Sequence, residues 1–123
     1  MIKFDDDALD DYLREDPGGP VVMLNLLRFA PDGGAEKYLA YAQQFAAQGL
    51  NEKYGVEIVY GGQGFNPLVA EEGQAWDMVA LIHYPSRQNF IDMVHDPLYQ
   101  QFEHLRTEAL VESVLQPTSP LAV

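Results

Sequence analysis

Apolar residues recur along the chain with two different periods, and these periods predict an alternation of strands and helices. Residues 21–29 are apolar at both odd and even positions, which is typical of a strand whose two faces are both covered. Residues 35–54 carry apolar side chains at every third or fourth position, which predicts an amphipathic helix of about five turns. Asp32 is the expected N-cap of this helix and Gly55 its expected end.

The second half of the chain repeats this alternation. Strands are predicted at three places, residues 56–60, 75–84 and 110–115. The first of them is expected to resume over residues 65–70 after a glycine bulge at 61–64. Two helices are predicted before the last strand, because Ser86 and Asp96 are N-cap residue types at the right places.

The predicted order of elements is strand, helix, strand, strand, helix, strand. This is the order of the α+β ferredoxin-like fold, a βαββαβ chain with a four-stranded antiparallel sheet and both helices on one face. The helices cover only that face, whereas the central strands are apolar on both. A second copy of the sheet is the simplest cover for the other face, so we predict a homodimer that packs through its sheet faces as a dimeric α/β barrel.

Residues 1–19 form an acidic N-terminal segment that precedes the predicted ferredoxin-like domain of residues 20–123. Apolar residues at helical spacing predict a short helix over residues 7–15, and Pro17 helps to end it. We interpret the segment as a helical appendage laid on the main domain. It is too small and too polar to cover a whole sheet face.

Composition and charge mainly exclude classes of partner and kinds of site. The 123 residues include 19 acidic and 7 basic side chains, for a net charge of -12. Because a polyanion would be repelled, neither nucleic acid nor an anionic membrane surface is expected as a partner. Cysteine is absent, which excludes disulfides and thiolate sites. The acidic start lacks the pattern of a signal peptide and no apolar run is long enough to span a membrane, so a cytoplasmic protein is expected.

Two segments of the chain resemble a known family. They are residues 22–29, Val-Met-Leu-Asn-Leu-Leu-Arg-Phe, and residues 76–87, Trp-Asp-Met-Val-Ala-Leu-Ile-His-Tyr-Pro-Ser-Arg. Further matches are Phe90, Met93, Tyr99 and residues 104–110. Over residues 20–118 the chain is similar to the domain of unknown function 1330 family, within the dimeric α/β-barrel superfamily. The resemblance implies a dimer with a small cavity in each subunit, but no particular reaction. A basic residue is common in that family where this chain has His83.

Asn25 is the strongest single candidate for a functional residue. If it lies opposite Ala80 in the sheet, it is the one amide on an otherwise apolar face that also carries Tyr84. A buried amide without a partner costs roughly 1–3 kcal/mol, so something must bond to it. Asn25 is therefore either a core residue bonded to backbone or water, or the catalytic polar anchor of a ligand pocket. In the second case Tyr60 and Trp76 would be walls of the pocket, with Tyr84 as a further ligand contact.

The same register places Arg28 opposite Asp77 on the other face of the sheet. This pair is either a structural ion pair near the end of the sheet or an arginine that its carboxylate orients toward an anionic ligand. The aromatic set at residues 38–45 is predicted to be core and dimer packing. Tyr41 is its one member that we consider a ligand contact.

The three histidines, His83, His95 and His104, do not have the spacing of a metal site, so neither a metal nor a cofactor is predicted. His83 and His104 are candidate general bases, because imidazole titrates near neutral pH. An ordinary surface histidine is the alternative in each case. His104 and Arg106 are two positions apart on a helix, so only one of them is expected to point inward.

Three functional hypotheses remain open from the sequence. The first is a cofactor-independent enzyme, oxygenase-like or isomerase-like, acting on a small organic substrate. The second is a non-catalytic ligand-binding or sensing dimer that uses the same pocket, and the third is a purely structural dimer. They differ in what the pocket should contain. A dry pocket without a titratable side chain would favour binding, and His83, His104 or the Arg28–Asp77 pair facing into it would favour an enzyme. A filled core at Asn25 would support neither.

Overall fold

The computed structural model describes residues 3–121. Its helices are α1 (Asp6–Arg14), α2 (Gly34–Ala47), α3 (Leu50–Tyr54), α4 (Arg87–Val94) and α5 (Pro97–Ala109). Its strands are β1 (Val21–Phe29), β2 (Glu57–Gln63), β3 (Met78–Tyr84) and β4 (Leu110–Thr118). Within residues 3–121, no helix combines the length and the apolar composition needed to cross a membrane.

The strands form a four-stranded antiparallel sheet in the order β2-β3-β1-β4. Helices α2 and α3 connect β1 to β2, and α4 and α5 connect β3 to β4. This is the predicted ferredoxin-like arrangement, so the α+β fold class is confirmed. The predicted register of the two central strands is also observed, because Asn25 lies opposite Ala80.

One face of the sheet packs against the helices and forms the core. Val21, Met23 and Leu27 of β1 point to this side and are at most 2% exposed. Tyr99 and Phe102 of α5 are buried above them, with their ring centres 5.6 Å apart in an edge-to-face arrangement. The core is therefore rich in aromatic rings where α5 crosses the sheet.

The other face of the sheet, which we call the helix-free face, has no helix on it in the described part of the chain. Its central residues are Val22, Leu24, Leu26, Arg28, Tyr60, Val79, Leu81, His83 and Val114. The apolar ones among them belong to neither hydrophobic cluster of the core. Helix α1 packs beside α4, on the opposite side, and leaves the helix-free face uncovered. This face therefore has the apolar surface that predicted a dimer, without a partner inside the subunit.

The long predicted helix over residues 35–54 is interrupted, and that prediction was wrong in detail. Gly49 adopts a left-handed conformation with φ of 71°, which separates α2 from α3, beginning at Leu50. The predicted N-cap was also wrong, because the N-cap residue is Gly33. Asp32 itself has a positive φ of 62°, a turn conformation that asparagine and aspartate tolerate better than most residues.

The predicted strand over residues 65–70 is not formed, because no neighbouring strand extends far enough to pair with it. β3 begins only at Met78, and residues 64–77 form a loop whose ends meet where the backbone N–H of Gly64 donates to the carbonyl oxygen of Asp77 at 2.9 Å. The irregularity in β2 lies between Ile58 and Tyr60 rather than in the glycine run. β4 continues past the predicted end to Thr118.

The predicted starts of the last two helices are confirmed, with Ser86 capping α4 and Asp96 capping α5. The carboxylate of Asp96 accepts hydrogen bonds from Leu98 N–H at 2.9 Å and from Lys53 Nζ at 2.8 Å. It also accepts one from Tyr54 Oη at 2.5 Å. The bonds from Lys53 and Tyr54 lower the pKa of Asp96 to about 2. An ionised carboxylate therefore ties α3 to the start of α5 at neutral pH.

Candidate ligand-binding site

Helix α1 lies over one end of the helix-covered side of the sheet. Asp5 caps it by accepting a hydrogen bond from the Asp7 N–H at 3.0 Å, and the acids of its first turn favour the positive end of the helix dipole. Leu9, Tyr12 and Leu13 pack against the main core cluster. The N-terminal helix predicted from the sequence is therefore present, and its apolar face packs on this end of the domain.

Arg87, at the start of α4, anchors the end of α1. Its Nη1 donates to the carbonyl oxygen of Tyr12 at 2.7 Å, and its Nε lies 3.7 Å from the carboxylate of Asp16. Its guanidinium also stacks on the Tyr12 ring, 4.5 Å from the ring centre. One arginine thus holds the end of α1 by three different contacts.

Beneath α1 is a cavity of about 610 Å³ that opens between α1, α4, α5 and the helix-covered side of β1 and β4. Its apolar lining consists of Phe4, Ala8, Leu9, Met23, Phe90, Leu115 and Pro117. Its polar lining consists of Lys3, Asp5, Asp11, Tyr12, Glu15, Arg87, Arg106 and Ser113. A cavity of this size that combines apolar walls with polar and charged groups is of the kind that binds small molecules.

Arg106 is the buried cation of the cavity, only 6% exposed. Its guanidinium carbon lies 5.9 Å from the ring centre of Phe4, which covers it. Burial raises the pKa of Tyr38 and of Tyr84, and the positive charge of Arg106 opposes that rise in both. The charge of Arg106 is thus felt inside the aromatic core rather than at the surface.

The hydroxyl of Tyr12 is the second polar group of interest in the cavity. Its oxygen is buried and has no hydrogen-bond partner among the described residues. Burial raises the pKa of Tyr12 to about 12, although Arg87 acts in the opposite direction. The hydroxyl therefore keeps its proton at neutral pH. A buried hydroxyl without a partner costs roughly 1–3 kcal/mol, so the site would gain from a ligand atom that bonds to it.

Asn25, the strongest candidate from the sequence, lies in the core and not in the cavity lining. It is 8% exposed, and its Nδ2 donates to the carbonyl oxygen of Met23 at 3.2 Å. Of the two alternatives for Asn25, this contact matches the core residue bonded to the backbone. Leu115, its neighbour on β4, lines the cavity in its place.

The predicted ion pair between Arg28 and Asp77 is not formed. Arg28 pairs instead with Glu112, which lies opposite it on β4, and its Nε donates to the carbonyl oxygen of Ala75 at 3.1 Å. The carboxylate of Asp77 accepts the backbone N–H of Phe29 at 2.8 Å. The carboxylate of Asp77 is therefore bonded to the backbone of Phe29. Asp77 precedes β3, so the sheet register does not place it beside the Arg28 guanidinium.

The two predicted walls of an Asn25 pocket lie on the wrong side of the sheet for that role. Trp76 precedes β3, and its ring is stacked under the Arg28 guanidinium, 4.8 Å from the ring centre. Tyr60 lies opposite Leu81 on the helix-free face and is 55% exposed. Tyr60 does not face Asn25 because alternate residues of a strand point to opposite faces. Trp76 lies outside β3, and its contact with Arg28 takes its ring away from Asn25.

Tyr41 and Tyr84 are core residues rather than cavity residues. The hydroxyls of Tyr41 and Tyr99 are hydrogen-bonded at 3.0 Å, and burial raises the pKa of Tyr41 well above its ordinary value. Tyr84 is buried against Phe90, with ring centres 5.2 Å apart. Tyr41 thus joins α2 to α5, and Tyr84 packs the sheet against α4.

The histidines also lie outside the cavity. His104 is exposed on α5, and the inward side chain of the pair is that of Arg106. His83 lies on the helix-free face between Val22 and Glu57, and its Nδ1 is buried without a hydrogen-bond partner among the described residues. In residues 3–121, no three histidine, aspartate or glutamate side chains cluster in a way that could hold a metal ion.

Sequence reasoning did not single out Arg106, Arg87 or Tyr12. The spacing of His104 and Arg106 allowed only one of the two side chains to point inward. A buried arginine under an apolar ring is less expected than a buried histidine. Arg87 and Tyr12 are 75 positions apart in sequence, and their contact depends on where α1 lies. The apolar side of α1 is the signal that could have identified them, because an apolar helix face must pack against the rest of the domain.

The chain matches no protein-family model, and no curated protein is significantly similar to it. Among solved structures it is similar to RPA0582 of Rhodopseudomonas palustris, a protein of unknown function. The identity is 30%, the match covers 100% of this chain and 98% of that chain, and the TM-score is 0.88.

Two more distant structures share the fold. One is a dimeric protein of unknown function with a ferredoxin-like fold from Bacteroides fragilis, with 16% identity, coverage of 80% of this chain and 94% of that chain, and a TM-score of 0.52. The other is the hydroxynitrile lyase of Passiflora edulis, with 13% identity, coverage of 83% and 94%, and a TM-score of 0.61. At these identities the likeness concerns the fold alone.

Proposed function

The chain belongs to the same family as RPA0582 of Rhodopseudomonas palustris, and because that relative is itself of unknown function, we propose a role from the geometry of the cavity. The cavity beneath α1 binds a small organic molecule, and the protein works as a ligand-binding or sensing module. The observation that carries this proposal is a cavity lined both by Tyr12, whose buried hydroxyl has no partner among the described residues, and by the buried Arg106. We also propose that the family is the domain of unknown function 1330 family.

Binding is favoured over catalysis by the titratable groups around the cavity. A cofactor-independent oxygenase or isomerase needs a group that moves a proton near neutral pH. Neither His83 nor His104 lines the cavity, and the raised pKa of Tyr12 leaves its hydroxyl protonated. The carboxylates of the lining are exposed rather than held inside the cavity. The hydroxynitrile lyase with this fold is an enzyme, but its likeness to this chain carries no more than the fold.

We propose that two copies of the chain pair through their helix-free faces, as a dimeric α/β barrel. Two observations favour this. The centre of that face is a continuous apolar patch around Leu24, Leu26 and Leu81, and monomeric proteins rarely leave such a patch open to water. The related Bacteroides fragilis protein is a dimer. Pairing through this face leaves the cavity, on the opposite side of the sheet, open in each subunit.

The binding proposal is tested with a neutral fluorescent probe, N-phenylnaphthylamine, titrated into the native protein and into two variants. Leu115→Trp places a larger side chain in the cavity wall, and we expect it to weaken probe binding by roughly tenfold or more, about 1.4 kcal/mol. Leu39→Trp is the matched control, because Leu39 is 57% exposed on α2 and outside the cavity.

One probe per subunit with the native protein, kept in the control and lost in Leu115→Trp, is the expected pattern. Circular dichroism melting shows whether Leu115→Trp still folds. If it does not, Met23→Phe is the second cavity-filling variant, at another point of the same wall. Equal binding by folded Leu115→Trp and native protein, or no binding to any of them, would contradict the proposal.

A further inference from the structure

We propose that the ligand of the cavity is an organic anion, a monocarboxylate with an apolar or aromatic body, whose carboxylate binds Arg106 and accepts a hydrogen bond from the Tyr12 hydroxyl. This inference rests on the proposed function and names its ligand class. The first reason is the distribution of charge. The chain has only 7 basic side chains against 19 acidic ones, yet Lys3, Arg87 and Arg106 all line this one cavity.

The three cations do not have the same surroundings. Arg87 is engaged with α1, through the carbonyl oxygen of Tyr12 and the carboxylate of Asp16. Lys3 is exposed. Arg106 is only 6% exposed, so its charge is the least screened by water. A guanidinium offers a planar set of N–H donors that fits a carboxylate with two parallel hydrogen bonds.

Tyr12 is a second donor among the residues that line the same cavity. Its hydroxyl is buried, protonated and without a partner among the described residues. A carboxylate has more acceptor sites than one arginine occupies, so it can accept from both groups. Phe4, Phe90 and Met23 form apolar walls around the space between them, which favours an apolar body on the anion.

The acidic residues in and next to α1 are the main argument for a different ligand. Asp5, Asp11 and Glu15 also line the cavity and would attract a cation. All three are exposed, and two already have partners, since Asp5 caps α1 and Asp11 pairs with Arg14 at 2.6 Å. Exposed carboxylates are screened by water and salt, whereas the buried guanidinium is not. The buried guanidinium in the lining therefore favours an anion.

The test compares three probes with the same apolar body and different head groups: phenylbutanoate, phenylbutanamide and phenylbutylamine. Isothermal titration with the native protein should rank the carboxylate first, with an affinity roughly tenfold or more above that of the amide. In Arg106→Gln we expect that preference to disappear while the affinity for the amide stays within about twofold. Arg14→Gln is the matched control, because it removes the same charge from an exposed arginine outside the cavity lining.

The outcomes separate this inference from the function on which it rests. If the neutral fluorescent probe binds but the amine is preferred, or the three head groups bind equally, the ligand class is wrong and the binding function stands. If neither that probe nor any phenylbutyl compound binds, the proposed function fails as well. If Arg106→Gln does not fold, Tyr12→Phe replaces it and should weaken the carboxylate more than the amide; an equal loss for both contradicts the inference.

Discussion

Leu24→Asp is expected to convert the protein from a dimer to a single subunit. Leu24 lies at the centre of the helix-free face, with Leu81 of β3 on one side and Gln116 of β4 on the other. In the proposed dimer it is buried against the second copy, where an aspartate would have no cation to pair with. An unpaired buried charge costs roughly 3–5 kcal/mol, which corresponds to a loss of at least about 100-fold in dimer affinity.

Sedimentation velocity at micromolar concentration measures this directly. Leu39→Asp is the control, because it makes the same change on an exposed position of α2. The native protein and the control should sediment as twice the subunit mass of 13.8 kDa, and Leu24→Asp as a single subunit. A native protein that sediments as one subunit, or a Leu24→Asp variant that stays dimeric, would show that the helix-free face is not the interface.

Gly64→Ala is expected to open the loop of residues 64–77. A Cβ added at Gly64 would lie 1.9 Å from the carbonyl oxygen of Trp76, a backbone atom that cannot move aside without the loop. The 2.9 Å hydrogen bond from Gly64 N–H to the Asp77 carbonyl oxygen would be lost with it. Overpacking of this kind costs roughly 1–3 kcal/mol.

The single tryptophan makes this change visible. Trp76 is stacked under Arg28 in the closed loop, and an open loop would expose it to water, so its fluorescence emission should move to longer wavelength. Gly61→Ala is the matched control, because a Cβ added there meets nothing within 4 Å. An unchanged emission spectrum and melting temperature in Gly64→Ala would mean that the loop does not close in the manner described.

Much of the fold could be predicted from the sequence because each local signal agreed with the others. The apolar residues of β1 on both parities required a central strand, and the caps at Ser86 and Asp96 fixed two helix starts. Where two local signals conflicted, the prediction failed. The periodicity over residues 35–54 continued through Gly49, but a left-handed glycine outweighs hydrophobic spacing and separates the two helices.

The candidate site was harder to predict because it depends on contacts between segments remote in sequence. The N-terminal segment was set apart as an appendage, whereas α1 covers the cavity and contributes Tyr12 to its lining. Asn25 has the right chemistry for an anchor, but its amide bonds to its own strand. Arg28 and Asp77 were placed together by extending a register past the point where β3 begins.

The most direct test of the ligand cavity is the NMR signal of isotope-labelled methionine methyl groups during titration with N-phenylnaphthylamine. Met23 lines the cavity, whereas Met78 and Met93 do not, and a Met23→Leu variant identifies its signal. Binding beneath α1 should shift the Met23 methyl signal and produce contacts between it and the probe, with Met78 and Met93 changing little. A probe that binds while Met23 is unaffected, or that perturbs Met78 instead, would place the ligand elsewhere and contradict the cavity as the functional site.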